Sequence, residues 1–232
     1  MKLLTEYFKS SNPQRDKEYS TCIQENLKNT HIDEIIIFIS DDSTLELKSP
    51  KIKIVNLQIR PTFKYLFEYC NDNFQNQKCI IANTDIFFDE SLSHFSDFVL
   101  ENKFISLTRW DLLNQENKWY LRFYDFPWRK PDDEITTAQF SQDAWIFQTP
   151  FKNDDRLDFL MGRPGCDNRI SQIVHENGYD VRNPSKQIII KHLHLSNHRT
   201  YTNQDIVPGP YLLIKPTTDI NIISEKFTIP HF

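Results

Sequence analysis

The chain has 232 residues, a formal net charge of −5, 39% hydrophobic and 25% charged residues. At roughly 100–200 residues per domain this predicts one large domain, able to bury a core without disulfides or a structural metal. With only 4 glycines, no GxGxxG or GxxxxGK phosphate loop can be written, and the mild acidity argues against a binder of nucleic-acid backbones.

Residues 2–8 alternate weakly and predict a first strand. After the Asn12-Pro13 break, a helix is expected from Asp16 to about Leu27, with Tyr19, Cys22, Ile23 and Leu27 on one face. The run from Ile35 to Ile39 is continuously apolar and β-branched, as in a strand buried on both faces. It ends in the polar turn 40–44. A short strand over 52–57 follows, then a helix from Pro61 with Phe63, Leu66, Phe67 and Cys70 inward. Cys79 to Ala82 is a further buried strand that runs into Asn83-Thr84-Asp85. The order so far is β-α-β-β-α-β, the rhythm of an α/β domain. A helix is expected over 91–100 and a strand over 104–108. The stretch 113–140, polar and rich in Trp and Pro, reads as a long functional loop. Ala144 to Phe147 is a strand, and Cys166 to Asn177 is a helix closed by Gly178. Late strands fall at Val181 and 188–190. The segment from Thr202 on has proline and little periodicity, and reads as a tail.

Cys22, Cys70, Cys79 and Cys166 form no CxxC pair. They read as reduced, buried thiols of a cytosolic protein rather than as a zinc site. No apolar run approaches 20 residues, and residues 1–8 lack the apolar segment of a signal peptide.

Three clusters carry chemistry. In the first, a buried strand delivers Asn83, Thr84 and Asp85 at its carboxyl end, where ligands bind in α/β sheets. A carboxylate beside an amide oxygen suits a hard divalent cation, although a turn-forming strand end would carry the same residues. In the second, Gly162-Arg-Pro-Gly165 precedes Asp167 at a predicted helix start. Asp167 could be no more than a cap, but two of four glycines in one turn suggest close backbone approach to something. In the third, His192 and His194 alternate on a strand and face one side, followed by Asn197, His198 and Arg199.

The order of these motifs resembles the GT-A fold glycosyltransferases, over about residues 2–200. Asn83-Thr84-Asp85 looks like the family's DxD with its first Asp changed to Asn. Gly165-Cys166-Asp167 with the following helix and Gly178-Tyr179 is similar to the family's Gly-Glu-Asp segment. His192 or His194 falls where several members bring a late histidine to the metal. The resemblance implies a mixed, mostly parallel, Rossmann-like central sheet flanked by helices. It implies a single glycosyltransferase domain over 1–232, with a nucleotide-binding half to about residue 100, an acceptor half over about 101–200 and a tail over 201–232.

The implied activity is metal-dependent transfer of a sugar from a nucleoside-diphosphate sugar, UDP favoured, to a glycan or lipid-linked hydroxyl, with inversion. The cofactor is Mn2+ or Mg2+, held by Asp85 with His192 or His194 to neutralise the leaving diphosphate. Inversion needs a general base; Asp167 is the candidate and Asp143 the rival. For the donor, Asp41 or Asp42 would accept from the uracil imide, Tyr7 or Phe8 would stack on the base, and Arg60, Lys64, Asn83, Thr84 and Arg109 would meet phosphate, ribose or sugar. Trp119 and Trp128 are the acceptor contacts, with Trp145 in the core. No nucleic-acid partner and no transmembrane segment are expected. The expected location is the cytoplasm, including the membrane surface for a lipid-linked acceptor. Two other readings stand beside this one: a non-catalytic glycan-binding or degenerate module, and a metal-dependent sugar nucleotidyltransferase, which normally has a glycine-rich first loop that this chain lacks.

Overall fold

The computed structural model describes residues 1–129, 134–196, 198 and 201–231. The sequence notes on Asn197 and Arg199, and the part of the 113–140 stretch at 130–133, lie outside the described residues. The first half runs β1 (Lys2–Glu6), α1 (Pro13–Lys28), β2 (Glu34–Ile39), β3 (Ile52–Asn56), α2 (Phe63–Asn73), β4 (Lys78–Ala82) and β5 (Ile86–Phe88). It continues with β6 (Lys103–Thr108), β7 (Trp110–Gln115), β8 (Lys118–Phe123), β9 (Gln142–Gln148), α3 (Cys166–Glu176), β10 (Asp180–Arg182), β11 (Ile190–His192), β12 (Tyr211–Ile214) and β13 (Lys226–Ile229).

The main sheet has seven strands in the order β10-β6-β9-β4-β1-β2-β3. β1, β2, β3 and β4 pair in parallel and β10 is parallel to β6, while β9 runs antiparallel to both of its neighbours. This is the mixed, mostly parallel, helix-flanked α/β sheet expected from the sequence. Its central strands are covered on both sides. Leu4, Ile36, Phe38, Ile81, Trp145 and Phe147 face one core with residues of α2 and α3. Leu3, Ile35, Ile37, Ile80, Ala82 and Ile146 face a second core with Tyr19 and Ile23 of α1. Alternate residues enter opposite cores, so the strands read as unbroken apolar runs. Burial of that apolar surface, at about 25 cal/mol per Å², is the main stabilising contribution. All four cysteines are free and buried.

The helix starts follow local chemistry. Asn12 accepts from the Gln14 and Arg15 amides and Pro13 opens the first turn, so α1 begins three residues ahead of Asp16. Thr62 accepts from Tyr65 N to cap α2, which leaves Arg60 in the preceding loop rather than on the helix with Lys64. α3 begins after Gly165 (φ +79), and Gly178 (φ +93) follows its end. Both positions lie in the left-handed region that glycine enters without a Cβ clash.

Three expectations are corrected. The helix over 91–100 is only a short 3-10 segment, Glu90–Phe95, held by the Asp89 side chain on Ser91 N. Its two buried apolar residues, Leu92 and Phe95, are flanked by serines and Asp97, which favour caps and turns over helix interiors. Much of the long loop over 113–140 is the β7–β8 hairpin, turning at Glu116 and Asn117 with positive φ at both. Most of its residues are exposed or half-buried, so no apolar alternation marks the strands. The tail contains the β12–β13 hairpin. Tyr211, Leu212, Leu213 and Ile214 are buried, and β12 lies against α3.

A second sheet, β5-β11-β7-β8, sits beside the first. β11 joins β5 in antiparallel fashion and β7 in parallel. This pairing carries residues near 85, 111 and 192 to one place. No described helix is long and apolar enough to cross a membrane.

Candidate active site

A cleft of about 410 Å³ opens at the carboxyl ends of β1 and β4 and the start of β9. Several of its polar residues follow the carboxyl ends of strands, where ligands bind in open α/β sheets. Asn83 N donates to Asp143 O at 3.1 Å, and Thr84 Oγ1 donates to Glu6 O at 2.5 Å. The Asn-Thr-Asp turn is thereby tied to both neighbouring strands.

Asp85, His192 and His194 meet on one wall. One potential ligand atom from each lies within 4.8 Å of the others. His192 Nε2 is 3.2 Å from Asp85 Oδ2, and its Nδ1 is 3.0 Å from Asp111 Oδ1. His194 Nδ1 is 4.0 Å from Asp85 Oδ2. Arg15, from the first turn of α1, donates through one Nη to Asp85 and through the other to Glu18 Oε2 at 3.0 Å. Burial opposes the Asp85 charge, but His192 and Arg15 outweigh it and hold the carboxyl well below the usual range. Burial and the Arg15 charge lower His194 to about 4, so its imidazole is neutral at pH 7 and able to ligate. One carboxylate and two imidazoles at this spacing make a donor set that could hold a divalent cation. The residues present therefore fit the implied metal.

Asp143, Asp167 and Arg109 also line the cleft. Asp143 accepts from Asn83 Nδ2 at 2.7 Å and from an Arg109 Nη at 3.1 Å, so both its oxygens are held. Arg109 also lies 3.3 Å from Asp111 and stacks on the Tyr124 ring at 4.2 Å. Asp167, half-buried at the start of α3, borders the cleft. Burial and the Asp143 charge push its carboxyl up to about 8. A carboxyl near neutral pKa, open to a cleft, is suited to moving a proton.

The structure brings Phe8, Arg60, Asn83, Thr84, Asp85, Arg109, Trp128, Asp143, Asp167, His192 and His194 to this cleft. Arg60 is clamped by both Glu6 oxygens, at 3.0 and 2.7 Å. Trp128 stacks on Phe140 with centroids 4.4 Å apart and is 42% exposed. Five expected residues are not brought there. Tyr7 is buried, and its hydroxyl donates to Asp16 at 3.2 Å, so its face cannot receive a base. Asp41 and Asp42 are exposed on the loop after β2, where Asp41 accepts from Ser43 N. Lys64 pairs with Asp155 at 2.7 Å on the outside of α2. Trp119 stands exposed on β8, away from the lining. Trp145 is fully buried in the core, as expected.

Sequence reasoning missed Arg15, Tyr19 and Glu6. Tyr19 lines the cleft and meets Phe8 edge-on, with centroids 5.3 Å apart. One signal was legible for Arg15. A cation in the first turn of a helix opposes the helix dipole, so a distant carboxylate partner was to be expected.

No family model matches this chain, and no curated protein matches it. Among solved structures, it is similar to a Bacillus anthracis protein described as a glucose-1-phosphate thymidylyltransferase. The TM-score is 0.48 at 10% identity, over 88% of this chain and 97% of that one. It is similar to 4-diphosphocytidyl-2C-methyl-D-erythritol synthase from Anaerococcus prevotii, with TM-score 0.46 at 16% identity, over 88% and 91%. It is also similar to the inositol-1-phosphate CTP transferase from T. maritima, with TM-score 0.45 at 10% identity, over 86% and 91%. At these identities and TM-scores the activity has to be read from the site's own residues.

Proposed function

We propose that the chain is a metal-dependent glycosyltransferase that uses a nucleoside-diphosphate sugar. The observation that carries the reading is the presence of two unlike groups of residues in one cleft. Asp85, His192 and His194 bring potential ligand atoms within 4.8 Å of one another, and Asp167, with its carboxyl raised to about 8, lines the same cleft.

Sugar transfer needs both. Charge gathers on the departing diphosphate, and a divalent ion, which Asp85, His192 and His194 would hold, would supply its neutralisation. The acceptor hydroxyl must lose its proton as it attacks the anomeric carbon, and Asp167 takes that proton from the opposite side, with inversion. Asp143 serves as a fixed anion, held by Asn83 and Arg109, that raises the basicity of Asp167. Phe8 and Tyr19 form an aromatic edge for the nucleoside, in place of the expected Tyr7. Trp128 offers its face to an acceptor sugar. The donor contacts thus come from the amino-terminal half together with His192 and His194, and the proposed base and acceptor contact from the following half.

A second reading, sugar nucleotidyl transfer, is favoured by one observation. Arg15 places a cation at the start of α1 beside the cleft, where a triphosphate would need one. The solved structures similar to this chain include nucleotidyl- and CTP transferases by name. Against it, the segment between β1 and α1 contains no glycine to let a triphosphate approach the backbone.

The deciding experiment is incubation with a panel of nucleotide sugars and Mn2+, following release of nucleoside diphosphate. A glycosyltransferase slowly hydrolyses its own donor. A nucleotidyltransferase instead releases pyrophosphate from a nucleoside triphosphate and a sugar phosphate. Release of neither product under these conditions would sink both readings and favour a binding module.

A further inference from the structure

We propose that Arg15 and the divalent cation compete for Asp85, and that the diphosphate of the incoming nucleotide is what draws Arg15 away. The inference rests on the metal site of the proposed function. It adds a residue and a binding order that neither the motifs nor the comparisons assign.

The geometry is specific. The Arg15 guanidinium is buried, with one Nη on Asp85 Oδ2 and the other shared between Glu18 Oε2 at 3.0 Å and Leu193 O at 3.3 Å. It lies over the Tyr19 ring with its central carbon 4.6 Å from the centroid. Its Nε has no hydrogen-bond partner among the described residues, although it is buried. A buried unmatched donor costs free energy unless a further acceptor arrives. The oxygen Arg15 bonds, Asp85 Oδ2, is also the one nearest His192 and His194, so a cation seated among these three donors would meet the guanidinium on its own carboxylate. Two like charges on one buried carboxylate repel. Without nucleotide, the fixed cation therefore opposes the metal.

A diphosphate changes the balance. It brings several negative charges and accepts well from a planar guanidinium fork. Arg15 can turn from Asp85 to the phosphate oxygens while keeping its Glu18 contact, and Asp85 is then released to the metal. Metal and nucleotide would thus bind as a unit, and reciprocity requires each to tighten the other by the same factor.

The test measures binding of Mn2+ alone, of UDP alone and of both, by calorimetry and by the paramagnetic signal of free Mn2+. Arg15→Met should tighten Mn2+ binding in the absence of nucleotide by roughly tenfold and weaken metal-free UDP binding by about the same factor. Asp85→Asn should abolish Mn2+ binding yet tighten metal-free UDP binding, because it frees the guanidinium. The second variant keeps a side chain of the same shape and guards against a fold lost through Arg15→Met. A folded Arg15→Met protein with wild-type Mn2+ affinity would overturn the competition, and so would Asp85→Asn with unchanged metal-free UDP affinity. Failure of the proposed function looks different. In that case UDP does not bind to any of the proteins, while the Mn2+ comparison between wild type and Arg15→Met still reports on Arg15.

Discussion

Two aspartates line the cleft in unlike surroundings: Asp85 is surrounded by cationic and imidazole groups, and Asp167 feels the charge of a second carboxylate, Asp143. Both are strand- or helix-end aspartates, and burial opposes ionisation in both. At Asp85 the charges of His192 and Arg15 reverse that effect and keep the carboxyl ionised. At Asp167 the Asp143 charge adds to it, and the carboxyl rises to about 8. Arg109 is spent on Asp143 and Asp111, and Asp167 forms no ion pair among the described residues. Neighbouring charge, rather than burial, divides the two roles.

The contrast can be broken most sharply at Asp167. Asp167→Asn should leave UDP binding nearly unchanged and slow transfer by about 10²–10⁴-fold, the usual worth of a general base. Unchanged turnover would hand the role to Asp143. Next comes Asp85→Ala, which should remove the stimulation of UDP binding by Mn2+. It also removes the carboxylate on which Arg15 and His192 converge, leaving them Glu18 and Asp111, and the lost buried pairing is visible as a lowered melting temperature. Metal-stimulated binding that survives this change would mean the metal lies elsewhere.

The two carboxyls should also differ in sign as pH varies. Asp167 has a folded value near 8, above an unfolded value of about 3.9. The folded state therefore holds a proton that the unfolded state has lost, and stability falls as pH rises through that window. Asp85 is depressed, so its contribution is present above about 3.9 and is lost as pH falls below it. Asp167→Asn should flatten the first slope, melt higher than wild type at pH 8, and remove the rise of transfer rate toward a plateau above about 8. A wild-type rate that is flat from pH 6 to 9 would contradict the assignment.

Smaller effects are expected from the aromatic residues. Trp128→Ala should raise the KM for a saccharide acceptor several-fold, equivalent to roughly 1 kcal/mol of lost ring contact, with donor hydrolysis unchanged. Trp119→Ala should change neither quantity measurably. A reversed result would move the acceptor onto the outer face of the β7–β8 hairpin.

Much of the central sheet was legible because its strands announce themselves. Ile35 to Ile39 and Cys79 to Ala82 are buried on both faces, so every residue is apolar and periodicity is not needed. The β7–β8 hairpin was not legible. It lies on the protein's exterior, where Trp119, Tyr120 and Leu121 follow one another without a polar alternation. The proposed metal trio could be read in outline, since a strand ending in Asp85 and a strand carrying His192 both point to chemistry. The location of the nucleoside contact could not. Tyr7 and Phe8 are neighbours, and strand alternation alone does not say that the first turns inward to Asp16 while the second borders the cleft.

Local order and burial were the sequence's own contribution: the β-α-β rhythm, the break at Asn12-Pro13, the Gly178 boundary, and the carboxylate at the end of β4. These follow from side-chain size, polarity and backbone freedom within a few residues. What tertiary structure alone decided was which charges became neighbours. Arg15 reaches Asp85 across 70 positions, and His192 reaches it across 107. Asp143 meets Asn83 across 60 positions because β9 starts where β4 ends. Coulomb interactions depend on distance in space and on the dielectric around each group. For that reason the same residue type, aspartate, became a held anion at one position and a carboxyl raised to about 8 at another.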